Sequence, residues 1–183
     1  MYFLISDIIV IFILLFLFAL LSAVWPPDSP WAPWWQMPDD VCFAAARHAK
    51  IKKKDVIYDL GCGTGKALIV ANLKFEARGV GIEIDPVRAV FAKWQVWKNK
   101  ALGVKIIKQN FFNVDISEAT VIYMYLVPNA LRRLTNKLTH ELRPGTKIVS
   151  YVYDLPETYK GKVKLLKKDK KNSLYVYELL KAK

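Results

Sequence analysis

The sequence predicts an α/β domain on a mostly parallel sheet, closed by a C-terminal antiparallel hairpin and preceded by one N-terminal transmembrane helix. Three observations carry that expectation. Short apolar runs of strand length alternate with helix-length segments from about Asp39 onward. A glycine-rich turn, Gly61-Cys-Gly-Thr-Gly65, follows the first of those runs directly. Ahead of them Ile8 to Val24 is an apolar run broken by a single serine.

The elements follow in order. At ~1.5 Å per residue the first run, lengthened by Tyr2 to Ile5, approaches the ~30 Å of a bilayer interior. Asp7 and the absence of any Lys or Arg before Arg47 do not suit a cleaved signal peptide, so the segment reads as an uncleaved anchor, residues 1–25. Residues 26–38 read as a Pro/Trp-rich linker. Together with Trp25 they hold five prolines and four tryptophans, which forbid a helix and suit the membrane–water boundary. The remaining residues, 39–183, read as the catalytic unit.

Within that unit Asp39 or Asp40 caps a helix running to about Lys50, and Asp55 to Leu60 forms a buried strand. Gly65 to Lys74 is a helix, Arg78 to Asp85 a strand, and Pro86 opens a helix to about Leu102. Strands are expected at 104–109, 120–126 and 146–153, with a helix over 129–142 that ends at Arg143-Pro-Gly. The runs 162–168 and 174–180 flank Asp169-Lys-Lys-Asn as a hairpin.

The chain carries 28 Lys and Arg against 16 Asp and Glu, a net charge of +12. Four of those acids precede Arg47, so the part from Arg47 onward holds 28 − 12 = +16. Such a balance draws polyanions (lipid headgroups, nucleic acid or acidic protein) and selects none of them by itself. The positive-inside tendency places the basic domain on the cytoplasmic side of a membrane. Two cysteines, Cys42 and Cys62, make no disulfide framework and no metal-ligand spacing, so a reducing compartment and no metal are expected.

The chemistry is concentrated in two motifs. Glycines at the end of the first strand let the backbone approach a ligand where a Cβ would clash. The dinucleotide pattern G-x-G-x-x-G fails because Lys66 stands where its last glycine belongs, and the phosphate-loop pattern fails at Ala67. Glu83, in Gly81-Ile-Glu-Ile-Asp85 about 20 residues on, is placed to accept hydrogen bonds from both hydroxyls of a ribose. Asp85 then caps the helix begun by Pro86. His48 and His140 lie away from both motifs and read as helix-surface residues.

Asp59-Leu-Gly-Cys-Gly-Thr-Gly65 followed by Gly81-Ile-Glu-Ile-Asp-Pro86 resembles motifs I and II of class I methyltransferases, which have a Rossmann-like fold and use S-adenosyl-L-methionine. The likeness continues through Lys108 to Phe111 and Val121 to Pro128, and within the superfamily it is strongest to the ATP synthase c-subunit lysine methyltransferases and their prokaryotic relatives. Those proteins also carry an N-terminal hydrophobic segment, a Pro-containing pre-motif like Trp35-Gln-Met-Pro38, and a strand ending in Val-Pro. The resemblance implies that Asp59, Gly61, Cys62, Gly63, Thr64 and Gly65 hold the methionine moiety and that Glu83, with Ile84 beside it, holds the ribose. It places Asn110, where the family has Asp, beside the adenine amine and packs Phe111 on the adenine. Independently of the resemblance, Tyr125 stands at the carboxyl end of its strand just before Val127-Pro128, which makes Tyr125 and Pro128 the catalytic candidates and Trp35, Tyr125 and Val127 the substrate-pocket candidates.

The resemblance therefore implies a protein-lysine N-methyltransferase acting on a membrane-associated protein. A lipid, quinone or RNA methyltransferase and a non-catalytic S-adenosylmethionine-binding membrane module are the alternatives; the anchor disfavours nucleic acid.

Overall fold

The computed structural model describes residues 2–24 and 35–181, with side chains described over 7–18 in the first stretch and throughout the second. Most of the Pro/Trp-rich linker, 25–34, lies outside the described residues. Helix α1 spans Tyr2–Val24. Its described side chains, over 7–18, are all exposed. Among the described residues no helix is long and apolar enough to cross a membrane. That finding overturns the expected single-pass membrane localisation with the catalytic domain on the cytoplasmic side, and it leaves the expected transmembrane helix without support.

From Asp39 the alternation read in the sequence is present. Helices α2 (Asp39–His48), α3 (Lys66–Phe75), α4 (Pro86–Lys98) and α5 (Pro128–Glu141) alternate with strands β1 (Val56–Leu60), β2 (Arg78–Glu83), β3 (Val104–Lys108), β4 (Val121–Met124) and β5 (Lys147–Tyr151). Strands β6 (Val163–Asp169) and β7 (Leu174–Leu179) complete one seven-stranded sheet in the order β3-β2-β1-β4-β5-β7-β6. The first five strands pair in parallel; β7 runs antiparallel to both β5 and β6, which is the predicted hairpin.

The core divides between the two faces of the sheet. Ile57, Val121, Tyr123 and Val149 point toward α2, α3 and α4, whereas Tyr58, Leu60, Ile122, Met124 and Ile148 point toward α5. Strands buried on both faces read as nearly continuous apolar runs, which is why 56–60 and 121–124 carry no clean alternation. Helix ends follow local chemistry. The Asp85 carboxylate accepts from Arg88 N at 2.7 Å, and Pro86 and Pro128 occupy the first turns of α4 and α5. Helix α4 stops at Lys98, four residues short of the expected end, with Asn99 and Lys100 turning the chain into β3.

Strand order reverses between β1 and β4, with β2 and β3 on one side and β5 to β7 on the other. In an open parallel sheet the crevice outside the carboxyl ends of the strands at that point is where ligands bind.

Candidate active site

The glycine-rich turn sits at that crevice. Gly61, Gly63 and Gly65 all take positive φ (86°, 55° and 75°), a conformation that strains any side chain carrying a Cβ. Gly61 N and Cys62 N both donate to Ile82 O, at 2.9 and 3.0 Å, which ties the turn to the end of β2. A close approach explains Gly81 as well: a Cβ there would lie 2.7 Å from both Cys62 Sγ and Ile106 Cδ1.

Glu83 is buried at the end of β2 and already fixed in place. Its Oε2 accepts from Gly63 N at 2.8 Å and its Oε1 from Asp85 N at 3.0 Å. One oxygen thus clamps the glycine turn and the other the start of α4, and each keeps a lone pair for a ligand.

Asp59 ends on the same crevice. Burial, reinforced by the negative charge of Glu83, pushes its carboxyl up to about 7. A buried acid in that state calls for a cation. Tyr123 stands beside it in the β1–β4 register, fully buried, and its hydroxyl has no hydrogen-bond partner among the described residues. An unmade hydrogen bond of that kind costs about 1–3 kcal/mol. Cys42, below them, is a neutral thiol, because burial and the nearby Asp59 push it up to about 12.

Asp59, Tyr123 and the turn from Gly61 to Thr64 line a small open pocket. Of the residues singled out in the sequence, Trp35, Asp59, Gly61, Cys62, Gly63, Thr64 and Tyr125 border it. Gly65 lies behind its wall, where its N–H donates to Cys62 O, and Glu83 reaches it through Gly63. Ile84, Asn110, Phe111, Val127 and Pro128 lie outside that lining. Asn110 Oδ1 accepts from Phe112 N at 3.0 Å, so the oxygen that replaces the family's carboxylate is engaged by its own backbone. Phe111 is half-buried and packs against the α5-side core and Phe112. Val127 precedes α5, and Pro128 begins it as an exposed residue.

The pre-motif reaches the pocket from the other side. Gln36 Nε2 donates to Thr64 Oγ1 at 2.6 Å, and Lys66 pairs with Asp39 at 2.9 Å. Sequence reasoning treated Gln36 only as part of a motif and saw Lys66 only as a departure from another pattern, yet both line the pocket. Trp35 is largely exposed at the mouth, and the Tyr125 ring meets that of Tyr151 edge-on at 4.6 Å. The two histidines differ from each other. His140 is exposed on α5 as expected, but His48 is half-buried and bonds Asp169 of the terminal hairpin at 2.8 Å. A long-range partner of this kind, 121 residues away, leaves no local signal in the sequence.

The likeness to known proteins points the same way as this geometry. Residues 59–161, more than half of the chain, match the model of the ANTKMT methyltransferase domain. A protein-lysine N-methyltransferase of Saccharolobus islandicus is 40% identical over 131 residues, covering 70% of this chain and 80% of that protein. The ATP synthase c-subunit lysine N-methyltransferase of Rattus norvegicus is 22% identical over 105 residues, 57% of this chain and 48% of its own length. Among solved structures, an RNA methyltransferase from Salinibacter ruber in complex with S-adenosyl-L-homocysteine superposes with a TM-score of 0.75 at 31% identity, covering 81% of this chain and 96% of that one. The chain belongs to the ANTKMT methyltransferase family. It is an S-adenosylmethionine-dependent methyltransferase, and the resemblance read from its motifs is borne out. The residues fit the cofactor. The glycine turn leaves room for a backbone-hugging ligand, Glu83 keeps free lone pairs, Asp59 is a buried acid, and the Tyr123 hydroxyl lacks a partner among the described residues.

Proposed function

We propose that this methyltransferase acts on the side-chain amine of lysine in a protein, and that residues 39–183 with the pre-motif at 35–38 form the catalytic unit. The observation that carries the reading is the aromatic mouth of the pocket, where Trp35 and the Tyr125–Tyr151 pair flank the way in to Asp59 and the glycine turn. The name of the Saccharolobus islandicus relative supports the same acceptor.

The cofactor's sulfonium supplies an already activated methyl group, so the protein's task is to position the acceptor and exclude water. Glu83 is assigned to the ribose hydroxyls, and Asp59 with the turn from Gly61 to Gly65 to the methionine portion. Asn110 and Phe111 are assigned to the adenine side, with Ile84 between the two. A lysine amine must lose its proton before it is a nucleophile, and a mouth that the bound acceptor seals from water disfavours the ammonium form. Trp35, Tyr125 and Val127 are assigned to that mouth, and Pro128 to holding the turn after β4 through the start of α5.

The full chain incubated with tritiated S-adenosylmethionine and a protein extract is the direct test. Label on a protein, with a mass increase on lysine, is the expected result; label confined to RNA would sink the lysine reading. RNA is the second reading because the β6–β7 hairpin exposes a row of lysines (Lys164, Lys167, Lys168, Lys170 and Lys171) and the Salinibacter ruber neighbour is titled an RNA methyltransferase.

A further inference from the structure

Tyr123 is among the largest side chains fully removed from solvent, and its hydroxyl is unpaired among the described residues. A phenylalanine would fill the same space without stranding a polar atom, so the hydroxyl calls for a partner that arrives with a ligand. Three observations locate that partner. Tyr123 and Asp59 are register neighbours on β4 and β1 and leave the sheet on the same face. Both border the pocket that the glycine turn shapes. Lys66, which also borders the pocket, already has a carboxylate partner in Asp39 at 2.9 Å, and Gln36 donates to Thr64 at 2.6 Å, so the pre-motif side is paired within the chain.

The pocket thus sets a buried acid beside an unpartnered phenol, while its ammonium group is already paired with Asp39. We propose that Tyr123 Oη and the Asp59 carboxylate together hold the α-ammonium of the cofactor's methionine portion. The proposal rests on the reading of Asp59 as the methionine-holding acid. An ammonium offers three N–H donors, more than one carboxylate satisfies. A lone pair of Oη accepts one of them while the phenolic O–H turns toward Asp59. The methionine carboxylate then falls toward Lys66, Gln36 and Thr64.

Tyr123→Phe in the full chain tests the assignment by calorimetry with three probes. These are S-adenosylhomocysteine, its decarboxylated analogue, which keeps the ammonium, and 5′-methylthioadenosine, which lacks the whole aminobutyrate arm. The expected result is about tenfold weaker binding of the first two, the size of one hydrogen bond to a charged group, and unchanged binding of the third. Equal weakening of all three would show a packing role and overturn the proposal. So would unchanged binding throughout, or a loss confined to the probe that carries the carboxylate. Asp59→Asn, measured in parallel, separates the two layers. If it leaves S-adenosylhomocysteine binding intact, the reading of Asp59 fails; if it weakens binding and Tyr123→Phe does not, only the role of Tyr123 falls. Because the native hydroxyl is unpaired, Tyr123→Phe is expected to melt no lower than the native protein.

Discussion

The two sides of the crevice are built on different principles. On the β1–β2 side nearly every site group is fixed by backbone: three left-handed glycines, two amides on Ile82 O, and two more on the carboxylate of Glu83. On the β4–β5 side the site is made of side chains leaning on side chains, Tyr125 on Tyr151 and Trp35 over the mouth. A donor that is the same in every turnover suits a rigid backbone cradle. An acceptor that comes as part of a macromolecule needs a mouth whose shape is set by side chains, which change without disturbing the sheet.

The largest break in that contrast is expected at Glu83. Glu83→Ala removes the acceptor for two buried amides as well as the ribose ligand, so both the turn and the contact are lost. With each hydrogen bond to a charged group worth about 1.5–3 kcal/mol, S-adenosylmethionine affinity should fall by roughly a hundredfold or more. Calorimetry reads this directly, and affinity within a factor of a few of native would show that the cradle does not depend on Glu83.

The contrast also explains what was legible in the sequence. Backbone cradles leave fixed letters at fixed spacing, so Gly61 to Gly65, Glu83 and Asp85 were readable, and the strand–helix alternation gave the sheet and its hairpin. The β4–β5 side depends on which residues happen to meet. Nothing in the sequence pairs Tyr125 with Tyr151, Gln36 with Thr64 or His48 with Asp169, because those contacts are set by sheet order and helix tilt. Burial, which no local pattern reports, is what distinguishes Tyr123 from Tyr125 two residues further along the chain. The apolar run near the N-terminus shows the opposite error, since hydropathy alone promised a span that the described residues do not provide.

Next in size is the response of the cradle to pH. The Asp59 carboxyl is raised to about 7 by burial and by Glu83, so the folded chain holds a proton there that the unfolded chain releases near 4. The stability this lends is fully present below that lower value and is lost as pH rises through about 7. Binding of a cationic methionine end has the opposite sign, because it needs the carboxylate. S-adenosylhomocysteine affinity should therefore rise by up to about tenfold per pH unit below 7 and level off above it. Asp59→Asn should flatten that profile.

On the acceptor side, Tyr125→Ala removes one wall of the mouth and leaves the glycine turn untouched. We expect turnover to drop by about tenfold, with cofactor affinity changed by less than about twofold, the signature of misplaced acceptor geometry. Tyr125→Phe, which keeps the ring against Tyr151, should retain more of the rate than Tyr125→Ala. Equal losses in the two variants would assign the effect to the hydroxyl instead of the wall.

A smaller effect comes from the residue that follows Tyr151. Val152 takes φ of 69°, a left-handed conformation that is strongly disfavoured for a β-branched side chain. Its N–H is held by Ser173 O at 2.8 Å, so the hairpin fixes the strained residue, which in turn fixes where Tyr151 meets Tyr125. Val152→Gly should relieve strain of the order of 1 kcal/mol and raise Tm by a few degrees. If the strain holds the mouth in shape, the same variant should lose turnover while it gains stability. Gain without loss would show that the conformation is incidental to the site.

The smallest effect is expected at His48. The Asp169 carboxyl is held well below the usual carboxylate range, first by the Asn172 side chain and then by His48. A depressed acid contributes stability that is present above its ordinary range and lost as pH falls through it. His48→Ala removes the second of the two contacts and leaves the Asn172 bond that closes the hairpin turn. Hydrogen exchange should quicken in β6 and β7 alone, with the β1–β2 cradle and cofactor affinity unchanged. If exchange also quickens in α2 and at Gln36, the hairpin and the pre-motif are coupled through α2, and the two sides of the crevice are less independent than their construction implies.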